Sequence, residues 1–88
     1  MPRTHRTPSV SAVEYADLLH VLPPPDQRRA IREAAHLSQA FVARDLDVSA
    51  ALVGKWERGE AVPSRRTIRP YIDLLTALRR EPSDGAAS

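Results

Sequence analysis

The first quarter of the chain contains apolar residues at intervals of three and four, the spacing of one face of a helix. These residues are Tyr15, Leu18, Leu19 and Leu22. We therefore predict a short helix over residues 12–22, with Ser11 and Glu14 as a capping box at its start. Pro23 ends it, because proline lacks a backbone N–H and disfavours helical geometry in the residue before it.

A second helical pattern follows the proline run at residues 23–25, with Asp26 in its first turn, where negative charge is favoured. Its apolar positions are Ile31, Ala34 and Ala35, and its basic positions are Arg28, Arg29 and Arg32. The first set forms the apolar stripe of this helix, and we expect the three arginines to form its polar side.

Two short helices joined by a tight turn are predicted over residues 39–46 and 50–57. Ser38 and Ser49 precede them as favoured N-cap residues. Asp47 lies in the turn, where aspartate tolerates a left-handed backbone. The inward positions of the pair are Val42, Ala43, Leu46, Leu52, Val53 and Trp56.

Gly59 ends the fourth predicted helix, and a polar loop follows it. The last helix is predicted to start near Thr67, because Pro70 then falls in the first turn, where its missing N–H has no intrahelical partner. Its buried face is formed by Tyr71, Leu74, Leu75 and Leu78. No strand-like alternation occurs, so the pattern predicts an all-α fold of about five short helices.

Composition narrows the class of protein. The 88 residues suffice for one small domain, and the absence of cysteine excludes disulfides and thiolate metal sites. Among 13 basic residues only Lys55 is a lysine, and the others are arginines, which suit bidentate contact with phosphate. Neither a secretory signal in residues 1–10 nor a membrane-spanning apolar run is found, so we expect a cytoplasmic protein.

Residues 37–59, with the sequence LSQAFVARDLDVSAALVGKWERG, resemble the helix-turn-helix of phage repressors, the Xre/Cro family. The positions that match the family pattern are Leu37, Ser38, Gln39, Ala43, Leu46, Val48, Ser49, Val53, Trp56, Glu57 and Gly59. The resemblance extends over about residues 26–79 and leaves residues 1–25 outside. It implies a compact all-α bundle that contains a lambda-repressor-like helix-turn-helix.

The resemblance also implies roles for individual residues, because the second helix of such a motif enters the major groove of DNA. The positions implied to face base edges are Ser49, Ala50, Ala51, Gly54 and Lys55. The positions implied to contact phosphate are Ser38, Gln39 and Arg58. Three arginines near the last helix are further candidates for phosphate contact: Arg65, Arg66 and Arg69. Arg32 and Glu57 occupy positions that form a partly buried ion pair in related proteins.

Three features depart from the family pattern. His36 and Asp47 stand where many members have glycine. The groove-facing alanines and glycine lack hydrogen-bonding side chains, so Lys55 and Ser49 remain as polar readers and DNA shape gains importance. Phe41 lies off the buried stripe of its helix, and we expect it to dock on the extra N-terminal helix or on a partner protein.

The elements and the resemblance divide the chain into four parts. We expect a flexible arm at residues 1–10, an extra helix and proline linker at 11–25, the helix-turn-helix DNA-binding domain at 26–80, and a disordered tail at 81–88. Arg3 and Arg6 of the arm are candidates for the minor groove, although an arm without any DNA contact is an equal alternative.

Catalytic and metal-binding patterns are missing from the sequence. It has no nucleophile elbow and no phosphate-cradling glycine loop, and its three histidines, His5, His20 and His36, lack metal-ligand spacing. We therefore expect a protein that is not an enzyme and takes no cofactor, metal or small-molecule ligand.

The sequence thus predicts a sequence-specific double-stranded DNA-binding protein, a repressor-like transcriptional regulator of bacterial, phage or plasmid origin that acts as a homodimer at the nucleoid. A recombination directionality factor or an antitoxin would use the same DNA contact. An interpretation from another class is a protein-interaction module with little base readout, whose partner binds through Phe41 or the N-terminal helix.

Overall fold

The computed structural model describes residues 9–80, and within that range the chain forms five α-helices and no strand. They are α1 (Ala12–Val21), α2 (Pro25–Ala34), α3 (Gln39–Leu46), α4 (Ala50–Arg58) and α5 (Ile68–Arg80). This confirms the predicted all-α fold. No helix in the described range has the length and apolar character needed to cross a membrane. The predicted arm before Ser9 and the predicted tail lie outside the described residues.

Side-chain caps begin three of the helices, as the sequence predicted. The hydroxyl oxygens of Ser11, Ser38 and Ser49 each accept a hydrogen bond from the backbone N–H three residues later, at 3.1, 3.0 and 3.0 Å. Such a cap stabilises a helix by about 1 kcal/mol. Glu14 does not complete the predicted capping box, because its carboxylate is bound to Arg69 of α5.

Left-handed residues end α3 and α4 at the predicted positions. Asp47 has a φ of 60° and Gly59 a φ of 75°, and both turn the chain sharply after a helix. His36 also has a positive φ, 62°, in the connection between α2 and α3. The non-glycine residues adopt this conformation at some cost in energy, which aspartate tolerates better than most residues.

The proline of α5 lies in its first turn, as predicted. The carbonyl of Ser64 accepts hydrogen bonds from the amides of Thr67 and Ile68, at 3.0 and 2.9 Å. Pro70 is the third residue of the helix, where a backbone N–H would have no intrahelical acceptor. The helix therefore accommodates this proline without losing a backbone hydrogen bond.

The core is centred on two aromatic residues. Trp56 and Tyr71 are almost fully buried, and their ring centroids are 4.6 Å apart. α4 packs between α2 and α3, while α5 packs against α2 on one side and α1 on another. α1 is held to the loop before α5 by the Tyr15 hydroxyl, which donates to the carbonyl of Pro63 at 2.8 Å.

Val10 belongs to the folded domain, which places the start of the packed chain before the predicted boundary at residue 11. Its side chain is buried and its amide donates to the Arg65 carbonyl at 3.4 Å. The sequence pattern gave no sign of this contact, because a single valine after a proline-containing segment has no periodicity.

The prediction that all three arginines of α2 lie on its polar side was wrong. Arg28 is buried, and it donates to the carbonyls of Pro23 and Trp56 at 2.6 and 2.8 Å. Burial lowers the pKa of Arg28. Arg32 also points inward, and only Arg29 is exposed. Arg28 therefore supplies a charged cap to the last turn of α4, where exposed carbonyls favour a cation.

Candidate nucleic-acid interface

α3 and α4 form a rigid pair joined by the turn at Asp47. The amide of Val48 donates to the Ala43 carbonyl at 2.9 Å, which closes the turn directly onto α3. Val42 and Ala43 of α3 are buried, as are Val53 and Trp56 of α4. This shared core fixes the orientation of α4 relative to α3.

The outer side of α4 is a stripe of three exposed residues at helical spacing, Ala51, Lys55 and Arg58. We refer to this stripe as the α4 face. Ser49 is exposed at the N-terminal end of the same helix. The α4 face combines a small apolar group near the helix start with two cations further along it.

Two of the predicted base-facing residues, Ala50 and Gly54, are not exposed on α4. Gly54 is buried, and a Cβ atom there would lie 3.1 Å from Nη1 of Arg58 and 3.5 Å from the side-chain amide of Gln39. Ala50 is half-buried and packs against the core. The glycine thus makes room for two polar side chains that cross over α4, and it presents no surface of its own.

A nearly buried ion pair holds α2, α3 and α4 together. Arg32 donates to the Glu57 carboxylate through Nε at 2.6 Å and through Nη2 at 3.0 Å. Gln39 donates to the same carboxylate at 3.1 Å. Arg32 also reaches the Leu37 carbonyl through Nη1, at 2.8 Å, which fixes the connection before α3.

The charge state of this pair follows from its contacts. Burial raises the pKa of Glu57, but the hydrogen bonds from Arg32 and Gln39 outweigh it, so the net pKa lies below the ordinary value. The hydrogen bond to Glu57 raises the pKa of Arg32. The side-chain amide of Gln39, which was predicted to contact phosphate, instead donates to the Glu57 carboxylate inside the protein.

The arginines predicted to contact phosphate differ in their surroundings. Arg58 donates to the Glu60 carboxylate at 3.0 and 3.2 Å, and Arg69 is bound to Glu14. Arg65 donates through Nε to the Val10 carbonyl at 3.0 Å. Arg66 is exposed and forms no ion pair with any residue in the range 9–80. Arg65, Arg66 and Arg69 all line one hollow of about 440 Å³, which Ser9 also lines.

Sequence reasoning missed Glu14 and Glu60 as partners of the candidate arginines. Glu60 lies only two residues after Arg58, so its proximity was visible in the sequence. Glu14 and Arg69 are 55 residues apart, and only the packing of α1 on α5 brings them together.

Other predicted site residues lie apart from this surface. Phe41 is 54% exposed, and α1 packs on α5, so the expectation that Phe41 docks on the N-terminal helix was wrong. Ser38 is exposed at the start of α3, where its hydroxyl caps the helix. Arg3 and Arg6 lie outside the described residues.

Residues 26–82 match the family model of the helix-turn-helix domain, and this match covers well over half of the chain. The chain therefore belongs to this family. In helix-turn-helix modules that bind DNA, the second helix of the pair is the recognition helix. Neither the curated proteins nor the solved structures gave a match. The fold and the family together define a helix-turn-helix protein with double-stranded DNA as the expected partner.

Proposed function

We propose that this protein is a sequence-specific transcriptional regulator of the Xre/Cro type, repressor-like and of bacterial, phage or plasmid origin. The observation that carries the proposal is the α4 face, which is exposed on a recognition helix held rigidly by the Arg32–Glu57 pair. It binds double-stranded DNA at the nucleoid as a homodimer on a two-part site. Bound at a promoter, it excludes RNA polymerase sterically.

Base readout on this proposal depends on few side chains. The Ala51 methyl group contacts thymine methyls, and the Lys55 ammonium donates to acceptors on the guanine edge. Ser49 adds a hydroxyl at the helix start. With a single charged reader in the groove, local DNA shape supplies a large part of the selectivity.

Phosphate contacts surround this reading surface. The exposed N-terminus of α3 at Ser38 presents backbone N–H groups, which attract anions. Arg66 is open to solvent, whereas Arg58, Arg65 and Arg69 exchange an internal acceptor for a phosphate. Exposed ion pairs contribute little to folding, so the exchange costs little for Arg58 and Arg69. Arg65 can keep its hydrogen bond to Val10 through Nε and offer its terminal N–H groups to the phosphate.

The proposal is tested by selecting bound fragments from genomic DNA at about 50 and 200 mM salt, a range over which phosphate contacts weaken strongly. Enrichment of a repeated or palindromic site supports sequence-specific recognition. Its position at a promoter supports a regulator, whereas an attachment site favours a recombination directionality factor and a toxin–antitoxin promoter favours an antitoxin.

Arg66→Ala is the variant that tests the phosphate assignment. We expect weaker binding to all sequences and a log–log salt slope that is less steep by about 0.9. Arg29→Ala is the matched control, because Arg29 is an exposed arginine on α2. Equal slopes for the two variants would contradict the assignment of Arg66.

A protein-interaction module is the second candidate, and the burial of Gly54 favours it because little of α4 is left to read bases. On this alternative, DNA binding is weak, indifferent to sequence and lost at the higher salt concentration. Lys55→Ala distinguishes the two candidates. If Lys55 reads a base, its loss relaxes selectivity at one position of the DNA site, whereas the loss of a lysine without a base contact does not.

A further inference from the structure

The side of α3 that faces away from the core is exposed along its length. Ala40, Phe41, Arg44 and Asp45 all lie on this side, which we name the α3 face. Phe41 is 54% exposed, although its helix has a complete buried side formed by other residues. A large aromatic residue on a short amphipathic helix is more typical of a contact surface than of a solvated one.

The α3 face carries opposite charges on neighbouring residues. Arg44 and Asp45 are both exposed, and within residues 9–80 neither forms an ion pair. Together with Phe41 they line a shallow hollow of about 280 Å³. The hollow is open to solvent, so an aromatic side chain from outside can lie against these three residues.

We propose that the α3 face is the homodimer interface of this protein, and that its occupant is a second copy of the same chain. This inference rests on the homodimer of the proposed function and assigns a surface to it. In a contact with two-fold symmetry, a residue of one copy that contacts a second residue of the other copy is matched by the reverse contact, so each contact is made twice. Phe41 of each copy enters the hollow of the other, and each Arg44 pairs with Asp45 of the second copy.

Charge complementarity selects a second copy over other partners. A partner surface that is uniformly basic or uniformly acidic would attract one of the two charges, Arg44 or Asp45, and repel the other. An apolar partner would cover both charges without pairing them, which is costly. A surface with the same two charges in reverse order satisfies both, and an antiparallel copy of α3 has that order without requiring any other protein.

The side chains of the α3 face are distinct from those proposed to contact DNA. The proposed contact uses the side chains of Ala40, Phe41, Arg44 and Asp45, none of which belongs to the α4 face or to the candidate phosphate-binding side chains. The backbone N–H groups at the start of α3 are a separate candidate contact for phosphate, and that of Phe41 is already bound to the Ser38 hydroxyl. Self-association and DNA binding therefore use separate side chains, and each can be measured in the absence of the other.

Sedimentation equilibrium of the full chain without DNA tests the proposal. We expect a monomer–dimer equilibrium, and we expect Phe41→Ser to raise the dimer dissociation constant at least about tenfold. Val21→Ser is the matched control, because Val21 is an apolar residue of α1 that is 61% exposed. It should leave the dissociation constant unchanged.

An exchange of charges tests the pairing itself. Arg44→Asp and Asp45→Arg each place like charges opposite one another in a homodimer, so each variant alone should sediment as a monomer. An equimolar mixture of the two should form a heterodimer, because every pair across the axis is then opposite in sign. Circular dichroism checks that both variants keep the helical content of the wild type.

Other results would overturn the inference. A wild type that stays monomeric at millimolar concentration, or a dimer broken by Val21→Ser but not by Phe41→Ser, would contradict it. Failure of the charge-exchanged mixture to associate would also contradict it. A monomer that still selects a DNA site would contradict the α3 interface alone and leave the DNA-binding function standing.

Discussion

At the scale of single residues, Glu57 accepts three hydrogen bonds from two helices while its side chain is only 3% exposed. Glu57→Gln leaves the Arg32 guanidinium without its counter-charge in a nearly buried place. We expect a loss of about 3 kcal/mol in the free energy of unfolding, measured by urea titration. Glu60→Gln is the control, because Glu60 pairs with Arg58 on the surface and is 53% exposed. A similar loss in both variants would contradict a special role of the buried pair.

Two tyrosines offer a second residue-scale comparison. The buried Tyr71 hydroxyl has no hydrogen-bond partner among residues 9–80, whereas the Tyr15 hydroxyl donates to the Pro63 carbonyl at 2.8 Å. Tyr71→Phe should therefore leave the free energy of unfolding unchanged or slightly raised, while Tyr15→Phe should lower it by about 1 kcal/mol. Thermal and urea unfolding of both variants check this order, and the reverse order would show that Tyr71 has a partner.

The same burial affects the ionisation of Tyr71. Desolvation, reinforced by the negative charge of Glu57, raises the pKa of Tyr71 to about 12. In the folded protein this phenol should therefore ionise well after an exposed tyrosine does, which ultraviolet absorbance follows directly.

At the scale of elements, α1 supplies an acid to one of the candidate phosphate contacts. Glu14→Gln removes the partner of Arg69 and makes that guanidinium available to DNA. We expect DNA affinity to rise about two- to fivefold at low salt and the salt slope to steepen. Competition binding with the selected site measures both quantities.

Asp17→Asn provides the control for that prediction, because Asp17 is an exposed acid on the same helix and its replacement changes the net charge equally. An equal rise in affinity for both variants would mean that net charge, and not the Glu14–Arg69 pair, limits binding.

The elements themselves could be predicted because their signals are local. Ser38 and Ser49 lie directly before the helices that they cap, and the effect of Pro70 is confined to one helical turn. The buried orientation of Arg28 could not be predicted, because its acceptors come from the proline linker and from the end of α4.

The candidate site follows the same division. The helix pair and its Arg32–Glu57 contact were visible through the resemblance to a known family. The burial of Gly54 beneath the side chains of Gln39 and Arg58 could not be predicted, because it depends on how side chains from two different helices are placed in space. The Val10–Arg65 contact joins residues 55 positions apart and has no sequence signal at all.

At the scale of the whole molecule, the stability of the fold should depend on acid through Glu57. Its folded pKa lies below the ordinary value of 4.5, so its contribution is present above that pH and is lost as the pH falls through the folded value. The difference in unfolding free energy between wild type and Glu57→Gln should shrink below pH 4.5. A difference that is constant down to low pH would contradict the assignment.

The match to the helix-turn-helix family begins at residue 26, so α1 lies before the matched segment and packs onto α5 within it. Its first residues reach the α5 end of that domain, and Ser9 lines the same hollow as Arg65, Arg66 and Arg69. The chain contains no cysteine, so Ser9→Cys introduces a single thiol beside these guanidinium groups. If these arginines bind phosphate as proposed, a fluorescent dye attached there reports the arrival of DNA at α5, and it makes binding kinetics measurable without labelling the DNA.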